Sequence, residues 1–303
     1  MKLCGIVPPV ITPMHADGSL DLDSLDQLLD HMIGAGVNGL FLLGSSGQVA
    51  YLTDDQRDAL IARAVQTVAG RLPIVVGAMD LTAHRIIEQA RRAADLGAEA
   101  VVVTAPLYAL NDTAEVTRHF QLIAAGVPVP VLAYDVPVRV GTKLSPEMLI
   151  AMAAEGWIAA VKDSSGDDVS FRRLVALNEE CGHPLDLLTG HEIMVDGMAL
   201  LGADGAVPGL ANVDPAGYVR LWQAAEAGDW LAARDEQRRL ERLFRIVNVP
   251  QGRSGDSGGI GAFKAAMALL GTIGSATMPE PLRGLADDET DAVRGILAEA
   301  GLL

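Results

Sequence analysis

The sequence predicts an α/β fold, a (β/α)8 TIM barrel with a C-terminal helical extension. Three observations carry that expectation. Short apolar runs recur along the chain, and stretches with helical periodicity follow them. The ends of successive runs, Val10, Leu43, Gly77, Thr104, Asp135, Lys162 and Thr189, lie 27 to 34 residues apart, which is the length of one βα unit with short links. At 303 residues the chain holds eight such units and a further helical stretch. A doubly wound parallel sheet shares much of this pattern and stands as the alternative.

Gly5 to Ile11 reads as the first strand. A turn at Asp17-Gly18 follows, then an amphipathic helix with Leu25, Leu28, Leu29, Met32 and Ile33 on one face. Strand Gly39 to Leu43 leads into a helix over Asp54 to Ala69, and strand Pro73 to Gly77 into one over Thr82 to Leu96. Strand Ala100 to Thr104 precedes a helix over Ala114 to Ala125; strand Pro130 to Asp135 precedes one over Pro146 to Ala154. Trp157 to Val161 is apolar without polar alternation, as in a parallel strand covered on both faces, and Lys162 ends it. Strands Asp186 to Thr189 and Gly205 to Val207 complete the set, with helical segments near Ile193 to Leu201 and Pro215 to Ala227. Beyond them Leu240, Leu243, Phe244 and Val247 form a helical stripe, and Ala262 to Leu270 and Asp288 to Ala300 read as two more helices. No linker rich in Pro, Gly or Ser intervenes. The expected organisation is a catalytic barrel over residues 1–228 with the helices of 229–303 packed on it.

A net charge of −16 argues against a nucleic-acid or anionic-membrane partner, while a local Arg or Lys can still receive a small anion. No apolar run reaches the roughly 18 residues that span a bilayer. The opening MKLCGIVPPVITPM is interrupted by three prolines and lacks a signal-peptide pattern. Cys4 and Cys181 are too few and too far apart for a disulfide framework or a zinc site. These features lead to the expectation of a soluble, cytoplasmic protein.

Lysine is scarce: of 23 basic residues only Lys2, Lys143, Lys162 and Lys264 are lysines. A lysine where a buried strand ends is therefore informative. Guanidinium stays protonated, whereas an amine in an apolar setting can lose its proton and act as a nucleophile. In a barrel the strand ends converge on one mouth. The second strand is followed by Gly44-Ser45-Ser46-Gly47-Gln48, a tight turn whose hydroxyls and backbone N–H groups can hold a carboxylate. Tyr108 follows the fourth strand, Tyr134 and Arg139 mark the end of the fifth, and Lys162 ends the sixth. Hydroxyls, a phenol, an arginine and a lysine around one opening are what Schiff-base chemistry on a 2-oxo acid requires. The amine attacks the keto carbon, the phenol moves protons, and the hydroxyls hold the carboxylate.

In order and spacing, GSSGQ, YDVPVRVG and AVKDSS resemble the signatures of the dihydrodipicolinate synthase and N-acetylneuraminate lyase family of class I aldolases. The resemblance covers nearly the whole chain, and its most specific part is the Tyr-x-x-Pro motif with a lysine 28 residues after its tyrosine. It implies that Lys162 forms the Schiff base, that Tyr134 shuttles protons, that Ser45 and Ser46 bind carboxylate and relay protons, and that Gly47 belongs to the substrate-binding turn. It implies that Tyr108 enters a neighbouring subunit's site and that Arg139 binds a substrate carboxylate. Gly190, Glu192 and Val207, at the ends of the last two strands, are the further substrate-binding candidates. A homo-oligomer, built as a dimer of dimers, is implied as well, and no metal or organic cofactor is implied.

There are departures. The family commonly places threonine within the first motif and a glutamate after it, where this chain has a second serine and Gln48. Serine keeps the hydroxyl; Gln48 loses a charge. LYALNDT at 107–113 and VPGLANV after strand eight differ from the biosynthetic synthases, and Gly202-Ala203-Asp204-Gly205 is closer to the lyase and 2-keto-3-deoxy sugar acid branches. Glu192 follows strand seven, where it can meet substrate hydroxyls or cap a helix N-terminus. The expectation is a Schiff-base lyase acting on pyruvate or a 2-oxo-3-deoxy sugar acid. The alternatives are 4-hydroxy-tetrahydrodipicolinate synthase, which joins pyruvate and aspartate semialdehyde, and a non-catalytic 2-oxo acid sensor. RSGDSGGIG at 253–261 reads as a flexible loop before a helix, and Arg234, Arg238, Arg239, Arg242 and Arg245 read as a solvated helix face.

Overall fold

Eight short parallel strands form the centre of the computed structural model, which describes residues 2–303. They are β1 (Gly5–Ile6), β2 (Leu40–Leu42), β3 (Ile74–Gly77), β4 (Ala100–Thr104), β5 (Val131–Asp135), β6 (Ala160–Asp163), β7 (Asp186–Thr189) and β8 (Gly205–Ala206). The ladder runs β1-β8-β7-β6-β5-β4-β3-β2. At the seam between β1 and β2, Pro9 bridges Phe41, with Val10 N–H donating to the Phe41 carbonyl at 2.8 Å, and the sheet closes into a barrel. The first strand is shorter than the sequence pattern predicts because Pro8 and Pro9 have no N–H to give to a ladder. The apolar strand residues are buried, as strands covered on both faces must be.

The outer helices are α1 (Leu22–Ala35), α2 (Asp54–Val68), α3 (Ala83–Asp95), α4 (Thr113–Gly126), the single turn α5 (Pro137–Val140) and α6 (Pro146–Ala154). After them come α7 (Asp168–Glu180), α8 (Val195–Leu201) and α9 (Pro215–Glu226). Side-chain oxygens of Asp21, Thr53, Thr82, Asp112, Ser145, Asp167 and Asp214 accept N–H groups of the first turns they precede. Each such cap stabilises its helix by about 1 kcal/mol and fixes where the chain leaves the barrel. The predicted helices lie within a residue or two of those observed. Helix α7 and the turn α5 exceed the prediction.

Three further helices follow: α10 (Trp230–Phe244), α11 (Gly261–Leu269) and α12 (Asp287–Glu299). Helix α10 packs along α9, and Leu240, Leu243, Ile246, Phe263, Met267, Val293 and Leu297 belong to the same hydrophobic cluster as the barrel. The arginines of α10 are not uniformly solvated: Arg239 is held by Asp214 and Glu236. The segment read as a flexible loop is ordered as well. Asp256–Ile260 forms one π-helical turn that runs directly into α11. Among the described residues no helix is long and apolar enough to cross a membrane.

Candidate active site

Side chains alternate along a strand, so the last two residues of β5 and of β6 point to opposite sides of the sheet. The parallel register sets Tyr134 beside Lys162 and Asp135 beside Asp163. The two aspartates face outward, where Lys143 ion-pairs with Asp135 and lies 3.7 Å from Asp163. Leu144 N–H also donates to Asp135 at 3.0 Å, and the Ser165 hydroxyl and N–H both donate to Asp163 at 2.8 Å. The nearest carboxylates on these strands are thus occupied. Burial raises the Asp135 pKa despite the opposing pull of Lys143.

On the inner side Lys162 is 6 % exposed. Its Nζ sits 4.4 Å from the Tyr134 ring centroid and 5.0 Å from that of Phe41, and the two rings meet edge-on at 6.3 Å. Two aromatic faces give an amine a dry setting that still tolerates its charged form. Burial pushes the Tyr134 phenol up, but the charge of Lys162 and hydrogen bonding from Ser45, Ser164 and Lys162 together bring it below its ordinary value. A phenol held low beside an amine is suited to exchanging protons with it.

Ser45 and Ser46 stand on the turn after β2. The turn is shaped by Gln48, whose φ is +58°, and by the Thr12 hydroxyl, which donates to the Gly47 carbonyl at 2.7 Å. Gln48 is buried; its Nε2 meets Met278 Sδ at 3.6 Å, and its Oε1 has no hydrogen-bond partner among the described residues. Across the mouth Glu192 accepts the Leu210 N–H at 2.8 Å, and its own carbonyl accepts the Tyr218 hydroxyl at 2.9 Å. Glu192 caps the turn Gly209–Asn212 after β8 and not the helix that follows its own strand. Burial raises its carboxyl to about 7, against the opposing effects of the Leu210 and Gly209 N–H groups and of Lys162. A Cβ at Gly209 would lie 2.9 Å from Glu192 Oε1 and 3.4 Å from Ser46 Oγ, so the close approach of these two side chains depends on glycine there.

Gly190 has a similar duty. Its N–H donates to the Asp163 carbonyl at 2.6 Å, and a Cβ would fall 2.0 Å from Ser164 Oγ, the hydroxyl that serves Tyr134. Val207 is buried, and its N–H donates to the Thr189 carbonyl at 2.7 Å. Arg139, on α5, makes a two-pronged ion pair with Asp256 of the π-helical turn, one arm at 2.8 Å, and Tyr51 donates to the same carboxylate at 3.1 Å. Arg139 and Asp256 line a cavity of about 270 Å³ together with Ser45, Gln48, Tyr51 and Thr104. Tyr108 does not join this cluster. It is 97 % exposed, with φ at +68°, beside the equally exposed Leu110.

The structure therefore sets Lys162 against Tyr134 with Ser45 on the phenol, Glu192 and Ser46 beside Gly209, Gly190 against Ser164, and Ser45 and Arg139 on one cavity, while Gly47 and Val207 are placed only by their own backbone bonds. Phe41, Tyr51, Ser164 and Asp256 join these groups and were not selected by sequence reasoning. Ser164 lies within the lysine motif and could have been found there; Asp256 lies 117 residues from its partner. A larger opening of about 750 Å³ exists between α1, α9 and the C-terminus, lined by Gln27, His31, Arg220 and Arg239. Its arginines are paired with acids and no strand end faces it, so the smaller cavity is the better candidate.

A (β/α)8 barrel with a buried lysine, a phenol and hydroxyls at its mouth defines the class of protein. The chain belongs to the dihydrodipicolinate synthetase family, whose sequence profile matches residues 2–300. It is 35% identical over 303 residues to an uncharacterized DapA-like lyase of Halobacterium salinarum, covering 100% of this chain and 96% of that protein. It is 36% identical over 233 residues to the 4-hydroxy-tetrahydrodipicolinate synthase of Xanthomonas campestris pv. campestris, covering 77% of this chain and 76% of that one. Among solved structures, the prophage protein YagE of E. coli K12 in complex with pyruvate superposes with a TM-score of 0.93 at 28% identity, covering 99% of both chains.

Proposed function

We propose that this protein is a Schiff-base lyase that cleaves, dehydrates or forms a 2-oxo-3-deoxy sugar acid, with pyruvate as the common three-carbon fragment. The observation that carries the reading is the placement of Lys162 Nζ over the Tyr134 ring, while Asp135 and Asp163, the last residues of the same two strands, are taken up by Lys143 on the other side of the sheet. Pyruvate bound to the structural neighbour YagE supports the choice of fragment.

The amine of Lys162 attacks the C2 keto carbon through its nitrogen lone pair; a C–N bond forms and the carbonyl electrons move to oxygen, which takes a proton through Tyr134. Loss of water then leaves a protonated imine. For a 2-oxo-3-deoxy sugar acid, the C4 hydroxyl gives its proton to Tyr134, the C3–C4 bond breaks, and its electrons pass into the imine to leave an enamine and a free aldehyde. Protonation at C3 and hydrolysis release pyruvate and restore the amine. Ser45, Ser46 and the N–H groups of the turn after β2 hold the substrate carboxylate, and Ser164 keeps the phenol in place. Glu192 meets substrate hydroxyls.

The second reading, 4-hydroxy-tetrahydrodipicolinate synthase, is favoured by relatives of that name. It needs Arg139 free for a carboxylate, and Arg139 is engaged by Asp256. The exposed Tyr108 and Leu110 support a homo-oligomer in which this surface is covered by another copy. The free cysteines accord with a cytoplasmic setting. A screen of 2-oxo acids and aldehydes, with pyruvate release and water loss followed separately, tests the choice. Turnover of a 2-oxo-3-deoxy sugar acid is expected; efficient condensation of pyruvate with aspartate semialdehyde, and none of sugar-derived aldehydes, would refute it.

A further inference from the structure

The cavity beside Ser45 has a charge pattern that the lysine and its phenol do not explain. Arg139 would make it a receptor for anions, yet Asp256 reaches across from the helical region and takes the guanidinium in two places, while Tyr51 donates to the same carboxylate. Asp256 is only 14 % exposed at its side chain. Arg57, another cation lining the cavity, faces Asp54 at 3.4 Å and donates to the Val49 carbonyl at 2.9 Å. Among the described residues, the buried polar atoms of this wall without a partner are the Oε1 of Gln48, the hydroxyl of Thr104 and the Nε of Arg57, whose guanidinium is otherwise held by Asp54 and the Val49 carbonyl. A second carboxylate entering here would have to displace Asp256 from Arg139, or sit against it and meet like charge. A hydroxyl-bearing segment finds acceptors in Gln48 and Asp256, and a group able to donate or accept in Thr104.

We propose that Asp256 is a specificity-determining residue that closes Arg139 to carboxylates, so that this subsite takes the neutral, polyhydroxylated end of the substrate. The inference deepens the reading of the previous subsection by fixing the chemistry of the part distant from Lys162. It also makes the C-terminal region part of the site, because the turn carrying Asp256 is continuous with α11.

The test uses ligands that carry no keto group and so do not need Schiff-base chemistry. Binding of succinate and of erythritol is measured on the intact protein, on Asp256→Asn, on Asp256→Leu and on the double variant Asp256→Asn/Arg139→Gln. The expected result is opposite responses: succinate binds the Asp256 variants at least tenfold more tightly than the unaltered protein, erythritol binds them more weakly, and the succinate gain disappears in the double variant. Equal succinate binding with and without Asp256, a gain that survives loss of Arg139, or a parallel response of both ligands would overturn the proposal. Two substitutions of different shape guard against a local packing artefact. Pyruvate and borohydride are added to the same samples. Absence of an adduct in the unaltered protein would overturn the lyase reading alone, because the succinate and erythritol comparison decides the subsite without it.

Discussion

The ends of β5 and β6 bury one lysine and α11 buries another, with very different surroundings. Lys264 is fully buried, and its Nζ donates to the Thr277 carbonyl at 2.8 Å. Burial pushes its pKa down to about 7. Among the described residues no phenol or hydroxyl side chain is hydrogen-bonded to it; its bond is to a backbone carbonyl. Lys162 lies beside Tyr134, whose phenol is in turn bonded by Ser45 and Ser164, with two aromatic faces under its amine. Burial alone makes an amine available; neighbours that move protons make it useful.

The contrast is sharpest in the variants of the two lysines. Lys162→Ala is expected to lower the rate of the lyase reaction by roughly 10⁴-fold or more, since the covalent step has no other nucleophile. Steady-state assays on purified protein check it, and a variant retaining a tenth of the rate would break the comparison. Tyr134→Phe keeps the ring under the amine and removes the proton carrier, so a loss of roughly 10² to 10⁴-fold is expected. A loss in KM without one in kcat would give the phenol a binding role instead.

Glu192→Gln acts on an acid whose folded pKa lies above its unfolded value. The folded state holds a proton that the unfolded state has lost between about pH 4.5 and 7, so this group's contribution to stability falls as pH rises through that window. The glutamine variant should therefore gain stability relative to the parent at pH 8 and not at pH 4, and the step near pH 7 should vanish from the pH profile of kcat/KM. Parallel denaturation curves and rate profiles decide it.

Lys264→Met should leave the rate within about twofold, in keeping with a group remote from proton carriers. Its effect is on stability. Folded Lys264 loses its proton near pH 7 and unfolded lysine near 10.5, so the cost of burying the charge is full below pH 7 and fades as pH rises toward 10.5. The methionine variant should melt higher than the parent at pH 6, by roughly 2–4 °C for each kcal/mol of charge burial relieved, with the advantage shrinking by pH 10. An advantage independent of pH would mean packing, not charge, is responsible.

The strand ends were legible because their code is local. An apolar run stops, a polar residue follows, and the barrel brings such points together whatever the loops do. Lys162, Tyr134 and the Ser45-Ser46 turn could be found that way. Tyr108 could not be placed from its own chain: it follows a strand end, yet its side chain stands in solvent. Asp256 was illegible for the opposite reason. RSGDSGGIG has the composition of a loop, and only tertiary packing turns Asp256–Ile260 into a π-helical turn that sets a carboxylate on Arg139. Glu192 was found, but its bond to Leu210 depends on a contact between two strand ends that spacing does not encode.

The measurement closest to the central claim is the intact mass of the protein after incubation with pyruvate and borohydride, beside Lys162→Ala and Lys264→Met. The account predicts one reduced pyruvate adduct on the parent and on Lys264→Met, mapped to Lys162, and none on Lys162→Ala. An adduct that persists in Lys162→Ala would contradict it by placing the reactive amine elsewhere, and none on the parent with pyruvate or with longer 2-oxo acids would contradict it and move a non-catalytic 2-oxo acid sensor to the front.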